Sequence, residues 1–194
     1  MSAALLLIDV INSFEFEGAE TILPRALEAS AAIAGLRRRA KAAGVPVLYV
    51  NDNYGDWRSD FNHTVKEALN ARGGPIAARL EPEDDDYFVL KPKNSGFYGT
   101  PLELLLAHLE VQTVILTGFA SDICVLYTAS DAHMRGFEVM VPQDCVAAES
   151  EEENSRTLEL LARTLSARVL PAEDIDLAGL QREGKREVKA RLEA

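Results

Sequence analysis

The sequence predicts a three-layer α/β/α sandwich around a six-stranded, mostly parallel sheet. Apolar runs alternate with amphipathic segments along the 194 residues, which is the rhythm of βαβ units. The first run, Ala4–Ile8, is apolar at every position, as expected of a strand covered on both faces.

Taken in order, Ala4–Ile8 is the first expected strand, with Asp9 at its carboxyl end. Pro24 suits the first turn of a helix running to about Ala43, where Gly44 stops it. Arg37, Arg38, Arg39 and Lys41 fall near its C-terminus, where cations oppose the helix dipole. Val45–Val50 is the second expected strand, followed by the polar loop Asn51-Asp52-Asn53-Tyr54-Gly55-Asp56-Trp57. A short helix is expected over His63–Ala71, broken by Gly73-Gly74-Pro75. Tyr87–Leu90 is the third strand, with Lys91 at its end. Thr100, Pro101 and Glu103 form a capping pattern for a helix to Leu109. Thr113–Thr117, Phe137–Val141 and Arg168–Leu170 complete the strands. Helices over Asp122–Arg135 and from Ser150 to Leu165 lie between them. The chain reads as one domain, residues 1–194, with a helical C-terminal extension over 174–194.

Composition narrows the function. Hydrophobic residues make up 47% and the formal net charge is −11. A nucleic-acid binder needs a basic face, and an anionic membrane surface would repel this chain. The N-terminal apolar run is too short for a membrane span or a signal peptide. The two cysteines, Cys124 and Cys145, do not make a secreted disulfide scaffold, so a reducing, cytoplasmic setting is expected.

The segment Val114 to Val125 carries the most chemistry. A β-branched run ends in Thr117-Gly118, a polar turn follows, and a helix opens around Cys124. A thiol in the first turn of a helix is expected to be acidified by the dipole. Parallel sheets place ligands beyond the carboxyl ends of their strands. Asp9, Lys91 and Cys124 all fall at such ends. Taken singly, each has an ordinary reading: a core thiol, a turn carboxylate and a solvated lysine. Lys93 competes with Lys91, which directly ends its strand.

Three segments resemble the isochorismatase-like cysteine hydrolases over Leu5 to roughly Ala148. They are Leu6-Leu7-Ile8-Asp9-Val10-Ile11-Asn12-Ser13-Phe14, Lys91-Pro92-Lys93-Asn94-Ser95-Gly96-Phe97 running on to Thr100, and Thr117-Gly118-Phe119-Ala120-Ser121-Asp122-Ile123-Cys124-Val125 with Thr128 and Asp131 after it. The resemblance implies a Rossmann-like isochorismatase fold and a catalytic triad of Asp9, Lys91 and Cys124. It further implies a cis peptide at Phe119–Ala120 and an oxyanion hole from the N–H groups of Ala120 and Cys124.

The chain also departs from relatives of that kind. Nicotinamidases carry a metal on an Asp-x-His pair and further histidines, whereas this loop reads Asn51-Asp52-Asn53 and the chain holds only His63, His108 and His133. No metal and no other cofactor is therefore expected. Cys124 favours C–N hydrolysis of a small amide, ureido or imide-like molecule through a thioester. The alternatives are a vinyl-ether hydrolase in which the thiol is incidental, and a non-catalytic binding protein of the same fold. Phe14, Trp57, Phe97 and Phe119 are candidates for an aromatic pocket lining or ordinary core residues. Asn51 and Asn53 would orient a substrate amide or make turns. Arg58 would pair a substrate carboxylate or stay solvated. The expected partners are a small-molecule substrate and further copies of the chain, as a homodimer or higher oligomer.

Overall fold

A computed structural model of the chain describes residues 2–57 and 60–182. Its strands are β1 (Ser2–Ile8), β2 (Val47–Asp52), β3 (Tyr87–Lys91), β4 (Val111–Phe119), β5 (Glu138–Pro142), β6 (Val146–Ala147) and β7 (Arg168–Leu170). The helices are α1 (Ala19–Ala42), α2 (Phe61–Leu69), α3 (Gly74–Arg79), α4 (Leu102–His108), α5 (Leu126–Met134) and α6 (Glu151–Leu165).

The strands form one sheet in the order β3-β2-β1-β4-β5-β7, with β6 paired to β4. Every paired neighbour is parallel. The expected six strands are thus seven. The extra strand, β6, has two residues, too few for any periodicity to reveal. It pairs because Val146 and Ala147 run beside Gly118 and Phe119.

Alternation along the strands divides the core into two layers. Leu5, Leu7, Tyr49 and Ile115 face α1, α2 and α3, meeting Ile33 and Leu36, Phe61, and Ile76. Leu6, Ile8, Val50, Val114 and Leu116 face α4, α5 and α6, meeting Leu106, Ala129 and Leu161. Strand β1 lies between β2 and β4. From it the chain crosses to β2 on one side and later returns to β4 on the other. That reversal opens a crevice at the carboxyl ends of β1 and β4.

Several boundaries differ from the sequence expectation. Helix α1 starts at Ala19, so Pro24 lies inside it rather than at its start. Buried Ala19 and Ile22 hold the added turn against the core. The Gly73-Gly74-Pro75 break instead opens α3, with proline in the first turn, where its missing N–H is harmless. Of the C-terminal extension, residues 177–182 are helical and 183–194 lie outside the described residues. Leu177 and Leu180 are buried in the α1-side core. Among the described residues no helix is long and apolar enough to cross a membrane.

Candidate active site

The site begins with a close approach of backbones. Gly118, at φ +114°, sits against Ile8, and a Cβ there would stand 1.9 Å from the Ile8 carbonyl oxygen. Only glycine lets β1 and β4 come together in this way. Asp9 follows at φ 52°, a left-handed conformation that aspartate tolerates better than most residues. Its N–H donates to the Val50 carbonyl (3.1 Å), and its Oδ1 accepts from the Asp52 N–H (2.6 Å). The carboxylate is thereby pinned across the end of β2.

Lys91 arrives from the far side of β2, in register with Asp52. Its side chain is fully buried. The Nζ lies 2.9 Å from Asp9 Oδ2, 3.3 Å from Asp52 Oδ2 and 3.4 Å from Cys124 Sγ. Asp9, Lys91 and Cys124, read separately from three strand ends, therefore converge on one ammonium. Lys93 is exposed. The segment after Lys91 is tied to the helix behind the thiol. Ser95 donates to Asp131, and the Gly96 N–H donates to Thr128 Oγ1 at 3.0 Å.

The Phe119–Ala120 peptide is cis. Residues Ser121–Val125 then form a π-helical turn in which the Ile123 and Val125 N–H groups both donate to the Ala120 carbonyl at 3.2 Å. The expected helix opening on the thiol is corrected here, since α5 begins only at Leu126. Cys124 thus precedes the regular helix, in a wider turn that points its Sγ back toward the strand ends.

The electrostatics also differ from the sequence expectation. Burial pushes the Cys124 thiol up and the Asp9 charge pushes it further, against the opposing pull of Lys91. The shift is toward the thiol, opposite to the acidification expected of a thiol at a helix start, and its chief cause is burial. Burial likewise raises the Asp9 carboxyl although Lys91 and the hydrogen bonds draw it down. For Lys91, burial disfavours the ammonium, yet Asp9, Cys124 and Asp52 outweigh it and hold its pKa up.

These groups open onto a cavity of about 390 Å³. Phe14 and Phe119 line it, with ring centroids 6.3 Å apart, and Phe16 extends the aromatic wall 6.0 Å from Phe14. Ala120 and Cys124 line it as well. Three expected lining residues do not. Trp57 is 80% exposed and turned to solvent. Phe97 is buried in the opposite layer, against Phe137 and beneath the Arg135 guanidinium. Asn51 is buried and bonded to the Ile11 backbone, accepting from its N–H (3.2 Å) and donating to its carbonyl (3.0 Å). It braces the loop after Asp9. Asn53 makes a turn, accepting from the Gly55 N–H. Arg58 lies outside the described residues.

Sequence reasoning missed Asp52, Tyr54, Asp122 and Ile123, all of which line the cavity. Asp52 alone had a legible signal, as an acid ending a strand beside that of Asp9. The Tyr54 residue is half exposed, but its hydroxyl turns inward to the Ile11 carbonyl at 3.3 Å. Burial, with the charges of Asp9 and Asp52, keeps that hydroxyl protonated.

Whether these residues suit a metal can be judged from the donors present. Asp52 is engaged with Lys91, and Tyr54 stands two residues on from Asp52. His108 and His133 are exposed, and His63 pairs with Glu67 on α2. Among the described residues no three His, Cys, Asp or Glu side chains are grouped to hold a metal ion. The donor set does not fit one.

An acid, a buried ammonium and a thiol thus meet at the switch point of a parallel α/β sheet. The chain belongs to the isochorismatase family, whose Isochorismatase domain profile matches residues 3–174. It is 40% identical over 172 residues to the uncharacterized isochorismatase family protein YaaI of Bacillus subtilis, covering 89% of this chain and 95% of that one. It is 31% identical to the maleamate amidohydrolase of Pseudomonas putida, over 74% of this chain and 71% of the relative. Among solved structures, the N-carbamoylsarcosine amidase of Thermoplasma acidophilum superimposes with a TM-score of 0.71 at 29% identity, over 91% of this chain and 99% of that one.

Proposed function

We propose that this protein is a metal-independent cysteine amidohydrolase that cleaves a C–N bond of a small molecule through a thioester. The observation that carries this reading is the meeting of the Asp9 carboxylate and the Cys124 thiol on the Lys91 ammonium, at 2.9 and 3.4 Å, on the wall of a cavity. The names of the amidase relatives support it.

In this mechanism Asp9 takes the thiol proton as Sγ attacks the carbonyl carbon. Burial makes Asp9 a stronger base than an ordinary carboxylate, which suits proton transfer near neutral pH. Lys91 stabilises the sulfur as its negative charge develops. The carbonyl oxygen becomes an oxyanion held by the N–H groups of Ala120 and Cys124, each such donor being worth about 10²–10³ in rate. The intermediate collapses, the C–N bond breaks, and Asp9 returns the proton to the leaving nitrogen. Water then attacks the thioester while Asp9 accepts its proton. The acid leaves, and Cys124 regains its hydrogen.

A hydrolysis screen over small amides, carbamoyl compounds and nicotinamide tests this, run on the wild type and on Cys124→Ala. Turnover is expected in the wild type, lost in the variant and unchanged by EDTA, with a covalent acyl adduct on Cys124 in intact-mass spectra. Full activity of folded Cys124→Ala would refute the thiol mechanism. Vinyl-ether turnover by that variant would instead support chemistry by Asp9 and Lys91 alone.

A further inference from the structure

Cys124 and Lys91 are carried by separate elements. The sulfur sits on the π-helical turn that runs into α5, and the ammonium on the last residue of β3. Their 3.4 Å contact therefore depends on where α5 stands along its own axis. The buried face of α5 is made of Thr128, Ala129 and Ala132. Alanines let a helix pack closely, but they form only low ridges and interlock weakly against sliding. Directional bonds are left to fix the axial position.

Those bonds come from the loop that leaves Lys91. Ser95, four residues on and buried, donates to Asp131 Oδ2, and its Oγ accepts from the Phe97 N–H at 3.1 Å. The Gly96 N–H donates to Thr128 Oγ1 at 3.0 Å. Gly96 is itself pressed onto the sheet, since a Cβ there would stand 2.7 Å from the Val50 side chain. The other oxygen of Asp131 accepts from Arg135 at 2.9 Å, and that guanidinium also reaches Glu103 on α4 at 2.8 Å. Thr128 and Asp131 share one face of α5. Asp131 stands seven residues after Cys124, which places it about 10 Å behind the sulfur along the helix.

We infer that Asp131 is a positioning residue for the reaction: by holding Ser95 it sets α5 along its axis and keeps the Cys124 sulfur on the Lys91 ammonium. Ser95, Asp131 and Arg135 do not line the cavity, and the aromatic walls Phe14 and Phe119 belong to the opposite layer of the core. The effect therefore falls on the nucleophile and not on binding. Reacting groups need to be held within about 0.5 Å of the productive geometry, and a misplacement of about 1 Å can cost 10²-fold in rate. The inference rests on the amidohydrolase reading for its effect on rate, and on the geometry alone for its effect on position.

Ser95→Ala and Asp131→Ala each remove the same bond, from opposite sides. Crystal structures of both variants and of the wild type read the separation of Cys124 Sγ from Lys91 Nζ. Acylation is read with p-nitrophenyl acetate, in which Sγ displaces p-nitrophenolate from the ester carbonyl as Asp9 takes the thiol proton; Cys124→Ala is the blank. The separation is expected to grow by about 0.5 Å or more in each variant. The limiting acylation rate should fall about tenfold, while the half-saturating ester concentration stays within about twofold. Rates are taken at a temperature where thermal denaturation shows each variant folded, so that a merely structural loss of stability leaves them unchanged. The double variant should be no slower than the slower single one, because one bond is lost in all three. An unchanged separation in Ser95→Ala, the milder change, would overturn the inference even if Asp131→Ala does not fold. Acylation at the wild-type rate in either folded variant would overturn it too. A wild type that the ester does not acylate would defeat the amidohydrolase reading, and the separation would still decide the positioning.

Discussion

Lys91→Met removes the charge on which the site converges while keeping a long side chain of similar shape. In the wild type the ammonium is fully buried between Asp9 at 2.9 Å and Asp52 at 3.3 Å. At an effective dielectric of about 20, the nearer contact alone corresponds to roughly 6 kcal/mol of Coulomb attraction. Burying the ammonium costs several kcal/mol, which the substitution recovers. Losing one partner of a buried pair typically leaves a net loss of about 3–5 kcal/mol. That loss should depend on pH. Burial already raises the Asp9 carboxyl, and Lys91 is the largest influence holding it down; without Lys91 it rises further. A carboxyl raised above its unfolded value favours the fold while protonated, and that contribution is lost as pH rises through the folded value. The variant should therefore be closer to wild type at pH 5 than at pH 8. Urea denaturation at both pH values measures this, and adding Asp9→Asn should recover part of the loss at pH 8 by removing the stranded charge. A destabilisation under about 1 kcal/mol, or one that grows toward acid pH, would refute the reasoning.

Three further outcomes follow from the geometry. Asp9→Asn should lower kcat by about 10²–10⁴, yet speed alkylation of Cys124 by iodoacetamide at pH 7.5, because the Asp9 charge helps hold the thiol up; stopped-time mass spectrometry reads the second effect, and slower labelling would contradict it. Gly118→Ala should destabilise by about 3 kcal/mol or more, since its Cβ would meet the Ile8 carbonyl oxygen at 1.9 Å and its φ is +114°; soluble yield and thermal denaturation check this. Asn51→Ala strands the Ile11 N–H and leaves the Ile11 carbonyl only the Tyr54 hydroxyl, which should cost about 1–3 kcal/mol, with a fall in kcat as the loop after Asp9 loosens; an unchanged melting temperature would show that the brace is dispensable.

How far the site was legible varies residue by residue. Asp9 and Lys91 could be placed because each directly follows an apolar run, and a parallel sheet brings the ends of such runs to one edge. Phe14 and Phe119 line the cavity, whereas Trp57 and Phe97 do not. Nothing local separates these aromatics, since which layer a loop side chain enters depends on the path of the loop. Asn51 is polar and near the site, yet its amide is spent on Ile11. The helix expected at Asp122 becomes a π-helical turn, because hydrophobic periodicity does not distinguish a wide first turn from a regular one.

The sequence by itself determined the layered architecture and the three chemical groups, because periodicity and strand-end position are local properties that a parallel sheet converts directly into place. Tertiary structure decided their electrostatic surroundings and their company. The register of β2 against β3 puts Asp52 beside Lys91, and burial of the cluster sets the thiol and the carboxyl above their ordinary values. Both effects depend on distance and on exclusion of water, which arise only when segments remote in the chain are packed together.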